Sequence, residues 1–203
     1  GGLNIPAGLG IQRGGKIMLG LFNKDPVEKY TRRATNKHSQ SPDRYAAMEK
    51  LRDMGTEEAL YGLARRFSVT SSKGIEDEQE KQWVCDTLIG LATKTDAEKT
   101  DKQKAVGPKE VLGAIRRYIL AASAISYPLR VLEGVGSPEE VMRAIDELLA
   151  REEPEYTRDP SKKIQVLGWL RDWQETPAPE VARRILPYLK DFDENVRCAA
   201  VEA

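Results

Sequence analysis

Apolar residues recur at helical intervals along most of this chain. Near residue 50, Ala47, Leu51 and Met54 are spaced i, i+4 and i+7, and Gly55 follows them. That spacing places the three side chains on one face of an α-helix, and the glycine favours the end of the helix. The next segment has the same periodicity in four apolar residues: Leu60, Leu63, Ala64 and Phe67. The two segments together predict one hairpin of helices.

Three further helix pairs are predicted by the same periodicity. Their apolar segments are residues 84–91 with 111–122, 128–135 with 141–149, and 164–170 with 181–189. The clearest start signal is Ser137-Pro138-Glu139-Glu140, which supplies an N-cap, a proline in the first turn and a capping-box glutamate. Pro187 lies within the last apolar segment and is expected to kink or shorten that helix. Residues 93–106 are polar and rich in lysine and threonine, which predicts an exposed loop or a frayed helical extension.

The first 41 residues differ from the rest of the chain. Residues 1–17 are rich in glycine and predict a flexible leader, and our hypothesis is that the natural start is Met18. Residues 10–16 match the phosphate motif G-x-x-x-x-G-K, but Ile17 stands where a Ser or Thr would bind Mg²⁺, so we expect no nucleotide site. Residues 18–41 predict a basic helix and a linker, with Asp25 as N-cap and Pro26 as the first helical residue.

The order Asp193-x-x-Val196-Arg197-x-Ala199-Ala200 resembles the start of a HEAT repeat. The resemblance implies an all-α fold, a right-handed α-solenoid of antiparallel helix hairpins, over residues 42–203 with an incomplete last repeat. Aligned positions in the successive copies are 37, 44, 38 and 34 residues apart: Arg44, Lys81, Ile125, Lys163 and Arg197. Tetratricopeptide repeats are the alternative, but they keep close to about 34 residues and have a W-x-x-L-G-x-x-Y pattern that this sequence lacks. Ile125 interrupts the basic residues, which argues against an unbroken Asp/Arg ladder.

The composition limits the classes of partner and compartment. Lys plus Arg and Asp plus Glu number 32 each among 203 residues, so no net charge favours nucleic acid or anionic lipid. No apolar run reaches the roughly 18 residues of a membrane span. The two cysteines, Cys85 and Cys198, lie in apolar helical patterns, and we expect both to be buried reduced thiols. That expectation favours a cytoplasmic location.

Four arginines are the candidate partner-binding residues. Counted from a glutamate near the start of each second helix, they fall three or seven positions later and therefore share a helix face. They are Arg65, Arg117, Arg143 and Arg183. The HEAT resemblance implies that second helices line a concave face, where this arginine row would bind acidic groups. The alternative is a solvated face of local ion pairs, namely Glu140 with Arg143 and Glu180 with Arg183.

Trp169 and Trp173 are a possible secondary contact, because they are spaced i, i+4 with Arg171-Asp172 between them. Some HEAT-like DNA glycosylases use Trp and Asp around an extruded nucleotide, although the positions here do not reproduce that arrangement. Packing at a helix interface is the more ordinary role of such rings. His38 is the single histidine and lies in a polar break, so no metal site or Ser-His-Asp triad is indicated.

These patterns together predict a non-enzymatic scaffold or adaptor. It would bind an acidic protein partner through the concave face of a HEAT-repeat array, without a cofactor, a metal or a membrane. The alternative is a HEAT-like nucleic-acid-binding or DNA-glycosylase-like module that uses the tryptophans and the arginine row. No polar capping repeat follows Ala200, so we also expect the chain to be a fragment, or its last helix to be covered by missing repeats or another chain.

Overall fold

The computed structural model describes residues 25–101 and 103–203. The described residues contain ten α-helices and no β-strand. The helices are α1 (Pro26–Ala34), α2 (Ser41–Met54), α3 (Glu57–Ala64), α4 (Gly74–Thr93), α5 (Pro108–Ala121), α6 (Ser126–Val135), α7 (Pro138–Leu149), α8 (Ser161–Asp172), α9 (Ala178–Ile185) and α10 (Glu194–Glu202). The predicted leader, residues 1–17, lies outside the described residues, as does the start of the segment 18–41.

Local sequence signals set the helix ends. The Asp25 carboxylate accepts a hydrogen bond from the amide of Val27, and Ser137 and Glu140 form the predicted capping box at the start of α7. Gly55 ends α2 in the left-handed conformation, with φ of 63°, which glycine adopts without steric cost. Pro187 shortens α9 as predicted, because the chain continues past Ile185 as a 3₁₀ helix, Leu186–Lys190. Each of these ends follows from residues close to it in sequence.

The helices pack in two series of contacts. The even-numbered helices from α2 to α10 each contact the next even-numbered helix, and α1, α3, α5 and α7 contact one another in the same order. The principal contacts therefore join helices that are adjacent or next-but-one along the chain. One hydrophobic core runs between the two series, from Ala34 of α1 to Ala200 of α10. It includes fully buried residues such as Leu51, Ile115 and Leu167.

Buried charges connect the even-numbered helices. Arg44 of α2 donates hydrogen bonds to both carboxylate oxygens of Glu80 on α4, and Arg66 donates to Glu80 and to Asp77. Near the other end, Lys163 of α8 forms an ion pair with Asp191 at 2.8 Å, and both side chains are fully buried.

The aligned position Ile125 is buried and apolar, as the sequence indicates. There the side-chain oxygen of Gln165 accepts hydrogen bonds from the amides of Ile125 and Ser126 instead of forming an ion pair. The aligned Arg197 donates to the carbonyl oxygens of Asp191 and Phe192. The basic positions thus contribute polar contacts within and between helices, but the run of ion pairs is interrupted at α6.

Two sequence expectations need correction or refinement. Both cysteines are free, but only Cys85 is buried; Cys198 is exposed, because the buried face of α10 is formed by Val196 and Ala200 instead. The insertion after α4 is a loop with a short 3₁₀ turn, Asp96–Glu98, and its last apolar residue, Val106, is buried against the core. Among the helices that the structure describes, none combines the length and apolarity that crossing a bilayer would require.

Candidate partner-binding surface

Arg117 of the arginine row is engaged within the protein. Its guanidinium donates to the carboxylate of Glu58 on α3 and lies over the ring of Tyr61, 4.1 Å from the ring centroid. The two contacts hold Arg117 across the interface between α3 and α5. Its side chain is still 47% exposed, so the ion pair is screened by solvent and contributes little to stability.

Two arginines outside the predicted row connect the second helices. Arg116 of α5 forms an ion pair with Glu147 of α7. Arg184 of α9 donates to both carboxylate oxygens of Asp146 on α7, over 2.6 and 2.9 Å. Bidentate pairing fixes the orientation of a guanidinium better than a single contact does. The sequence does contain a signal for these contacts, because arginines are consecutive at 116–117 and at 183–184. Consecutive residues of a helix point in different directions, so only one arginine of each pair can face a given neighbouring helix.

All four members of the arginine row are exposed, and Arg117 has the partners described above; the other three are Arg65, Arg143 and Arg183. None of the three forms an ion pair with a described residue. The alternative hypothesis of local ion pairs named Glu140 with Arg143 and Glu180 with Arg183. Neither ion pair forms among the described residues. Glu140 instead turns back to accept a hydrogen bond from the amide of Ser137 at the start of α7. Arg143 is left facing solvent.

Arg65 lies at the end of α3. The α-helix ends at Ala64, and Arg65 begins a 3₁₀ helix, Arg65–Ser68. Its neighbour Arg66 is fully buried against Glu80 and Asp77. The row therefore consists of Arg117, which is paired with Glu58, and three arginines at the end of α3 and on α7 and α9 that have no ion-pair partner among the described residues.

A groove of about 520 Å³ lies between α3, α5 and α7 and includes Arg143. Lys109 and Arg116 add positive charge along it, and Glu57 and Glu140 add negative charge. Leu112 forms an apolar part of its wall. Gly113 keeps the groove open beside Glu57, because a methyl group there would stand 2.9 Å from the Glu57 carboxylate. The groove can accept a side chain that combines an apolar stem with a charged end.

The two tryptophans stack on each other with ring centroids 4.7 Å apart. Trp173 is 8% exposed, and its indole N–H donates to the hydroxyl of Thr176 at 2.9 Å. The side chain of Asp172 accepts hydrogen bonds from Arg171, which hold the pKa of Asp172 below its usual range. A carboxylate with a lowered pKa is a poor general acid or base near neutral pH. These contacts are typical of aromatic side chains packed at the end of a helix, here the C-terminal end of α8, with Trp169 only partly buried.

The described residues contain no group of three His, Cys, Asp or Glu side chains arranged to hold a metal ion. Comparison of the chain with models of protein families, with curated proteins and with solved structures found no match.

Proposed function

We propose that this chain is a HEAT-like right-handed α-solenoid that acts as a scaffold by binding an acidic segment of a protein partner. The two series of helix contacts support the repeat architecture, because each helix pair covers its neighbours in chain order. The basic residues at aligned positions, Arg44 and Lys163, are buried in ion pairs that link successive pairs, which also fits a degenerate repeat.

The observation that carries the function is the set of three exposed arginines without an ion-pair partner among the described residues: Arg65 at the end of α3, Arg143 on α7 and Arg183 on α9. Arginine binds carboxylates through two parallel hydrogen bonds, and an unpaired guanidinium is available to do so. Apolar surface accompanies the charge: Leu186, one turn after Arg183, is 57% exposed. Charged and apolar groups side by side suit a folded or extended polypeptide better than a phosphate backbone.

The test is to replace the three arginines by glutamate and to capture partners from native lysate. At about 0.5 kcal/mol for each exposed charge contact, loss of three contacts weakens binding about tenfold, and charge reversal weakens it further. The matched control reverses three exposed lysines elsewhere, Lys37, Lys50 and Lys94, so that net charge changes equally. We expect the captured proteins to be lost only in the arginine variant, with an unchanged circular-dichroism spectrum.

Equal loss of the partners in both variants would contradict the proposal, since it would reflect net charge rather than this surface. Retention of the partners in the arginine variant would contradict it as well. An electrophoretic shift with short duplex DNA at low salt distinguishes the nucleic-acid alternative, because phosphate binding weakens steeply as salt increases. We expect no shift for the wild-type protein.

A further inference from the structure

A second cleft lies along the even-numbered helices α2, α4 and α6, and no arginine of the row lines it. Its volume is about 540 Å³. Three aromatic rings line it, one from each helix: Tyr45, Trp83 and Tyr127. Two carboxylates on α4, Glu78 and Asp86, stand at the same cleft. The proposed scaffold function uses none of these residues.

Neighbouring residues hold the three rings in place. Tyr45 meets Trp83 edge to face, with centroids 5.7 Å apart and an angle of 86° between the rings. Tyr127 stacks on Phe67 at 5.6 Å, and its hydroxyl donates to the Glu78 carboxylate. All three cleft rings are half-buried against the core. A ligand that enters the cleft therefore meets rings whose orientation is already set, which lowers the entropy cost of binding.

The rings already attract positive charge in this structure. The guanidinium of Arg52 lies 5.9 Å from the centroid of Trp83, and that of Arg130 lies 5.3 Å from the centroid of Tyr127. Both distances fall within the range in which the quadrupole of an aromatic face attracts a cation. The ring of Tyr45 has no such cation among the described residues. The rings of Trp83 and Tyr127 thus attract cations, and a ligand cation that binds to either ring replaces the guanidinium group beside it.

The two carboxylates add negative charge that no lysine or arginine of the described chain neutralises by an ion pair. Asp86 accepts a hydrogen bond from the side-chain amide of Gln82 at 2.7 Å. Glu78 accepts from Tyr127. The hydrogen-bond partners of both carboxylates are uncharged, so the negative charge remains available to a ligand. The two residues lie about two turns apart on α4.

We propose that this cleft binds a methylated ammonium group. Such a group is large, weakly hydrated and without enough N–H donors to require a set of directed hydrogen bonds. Aromatic faces with nearby carboxylates are the surroundings that stabilise it, as in the aromatic cages that bind choline and methyl-lysine. The ammonium of an unmethylated lysine is strongly hydrated, so the free energy lost on removing its water would exceed the free energy gained from contact with the half-buried rings.

The test uses tetramethylammonium and ¹⁵N-labelled full-length protein, observed through the indole N–H signals in nuclear magnetic resonance spectra. We expect the Trp83 signal to shift and saturate, while the signals of Trp169 and Trp173 stay in place as internal references. Trp83→Phe identifies the Trp83 signal. The double variant Glu78→Gln, Asp86→Asn should weaken binding about tenfold, because two attractive charges are removed. The control variant Glu139→Gln, Glu202→Gln removes two exposed charges elsewhere and should leave binding unchanged.

A neutral analogue, neopentyl alcohol, separates charge from shape. The proposal would be overturned if tetramethylammonium caused no saturable shift of the Trp83 signal, or if the neutral analogue shifted that signal equally. It would also be overturned if the two double variants bound tetramethylammonium with equal affinity. Two further titrations, with a trimethyllysine peptide and with phosphocholine, identify the source of the group by whichever ligand binds more tightly than tetramethylammonium. None of these measurements depends on the arginine row or on the proposed scaffold function.

Discussion

Gly62 of α3 lies directly against Thr31 of α1. A methyl group at Gly62 would stand 2.2 Å from the Thr31 hydroxyl oxygen, far inside contact distance. That hydroxyl is buried and has no hydrogen-bond partner among the described residues. The close approach of α1 and α3 therefore depends on the absence of a side chain at this glycine, and it tolerates an unsatisfied polar atom.

Gly62→Ala is expected to destabilise the protein by about 1–3 kcal/mol, because overpacking at a buried contact exceeds the gain in helix propensity of up to about 1 kcal/mol. Urea unfolding measures the change. Adding Thr31→Ala removes the clashing oxygen and should restore stability to at least the wild-type value.

Gly168→Ala on α8 is the matched control. No atom lies within 4 Å of the added methyl group, so only the propensity gain remains, and we expect slight stabilisation. If the Gly62→Ala variant proved as stable as the Gly168→Ala variant, that result would contradict the close contact between α1 and α3 at Gly62.

At the scale of helices, Glu80 joins α2, α4 and the 3₁₀ turn after α3. It accepts hydrogen bonds from Arg44, Arg66 and Ser41, and its side chain is fully buried. Burial alone would raise the pKa of Glu80, but these hydrogen bonds outweigh it and hold that pKa below its ordinary value. The same balance lowers the pKa of Asp77, which Lys81 and Arg66 contact. Both carboxylates are therefore most stabilising when ionised.

Glu80→Gln should cost about 3–5 kcal/mol near neutral pH, because it removes the carboxylate that pairs with the buried charge of Arg44 and leaves buried Arg66 with Asp77 alone. Both carboxyl pKa values are lowered by folding, so their stabilisation is complete above the ordinary values of 4.5 and 3.8 and is lost as pH falls through the folded values.

The free energy of unfolding of the wild-type protein should thus decrease below pH 4.5, and the gap to Glu80→Gln should narrow. Urea unfolding at pH 7, 5 and 3 measures both effects. The control is Glu49→Gln, an exposed carboxylate on α2, which should follow the wild-type curve. A gap that stays constant with pH would contradict the role assigned to the Glu80 charge.

The start of α7 and the ends of α2 and α9 could be predicted because their causes are local, whereas the start of α4 at Gly74, ten residues before its predicted apolar segment, could not. Ser137 and Glu140 lie three residues apart, and Gly55 and Pro187 act on their own backbone. The burial of Arg66 could not be predicted in this way. Its carboxylate partners are 11 and 14 residues away, and the sequence does not show that a charged residue next to Arg65 turns inward. Exposure of Cys198 was missed for the same reason, since apolar periodicity does not reveal which faces find a neighbour.

At the scale of the whole molecule, the sequence indicated which arginines could carry positive charge on the surface, but it did not indicate which of them would form contacts within the protein. Arg65, Arg143 and Arg183 are exposed as a partner-binding row requires, whereas Arg117 is engaged with Glu58 and Tyr61. The aromatic cleft had no single sequence motif. Its rings come from three helices, 38 and 44 residues apart in the chain, and only the packing of α2, α4 and α6 brings them together.

The packing also predicts how stability is distributed. Since the principal contacts join helices close in the chain, a perturbation at one end should remain there. Asp191→Asn leaves the buried ammonium of Lys163 uncompensated near α8 and α10, and Glu80→Gln perturbs α2 and α4. Hydrogen exchange followed by mass spectrometry measures the local opening of each helix.

We expect Asp191→Asn to accelerate exchange about tenfold or more in α8–α10, with little change in α1–α4, because about 1.4 kcal/mol of local stability corresponds to a factor of ten. Glu80→Gln should give the reverse distribution. The two variants serve as controls for each other, since each replaces one buried carboxylate by its amide. A single cooperative unit would instead respond with uniform acceleration along the whole chain in both variants. That result would contradict a repeat architecture, in which each helix pair depends mainly on its neighbours.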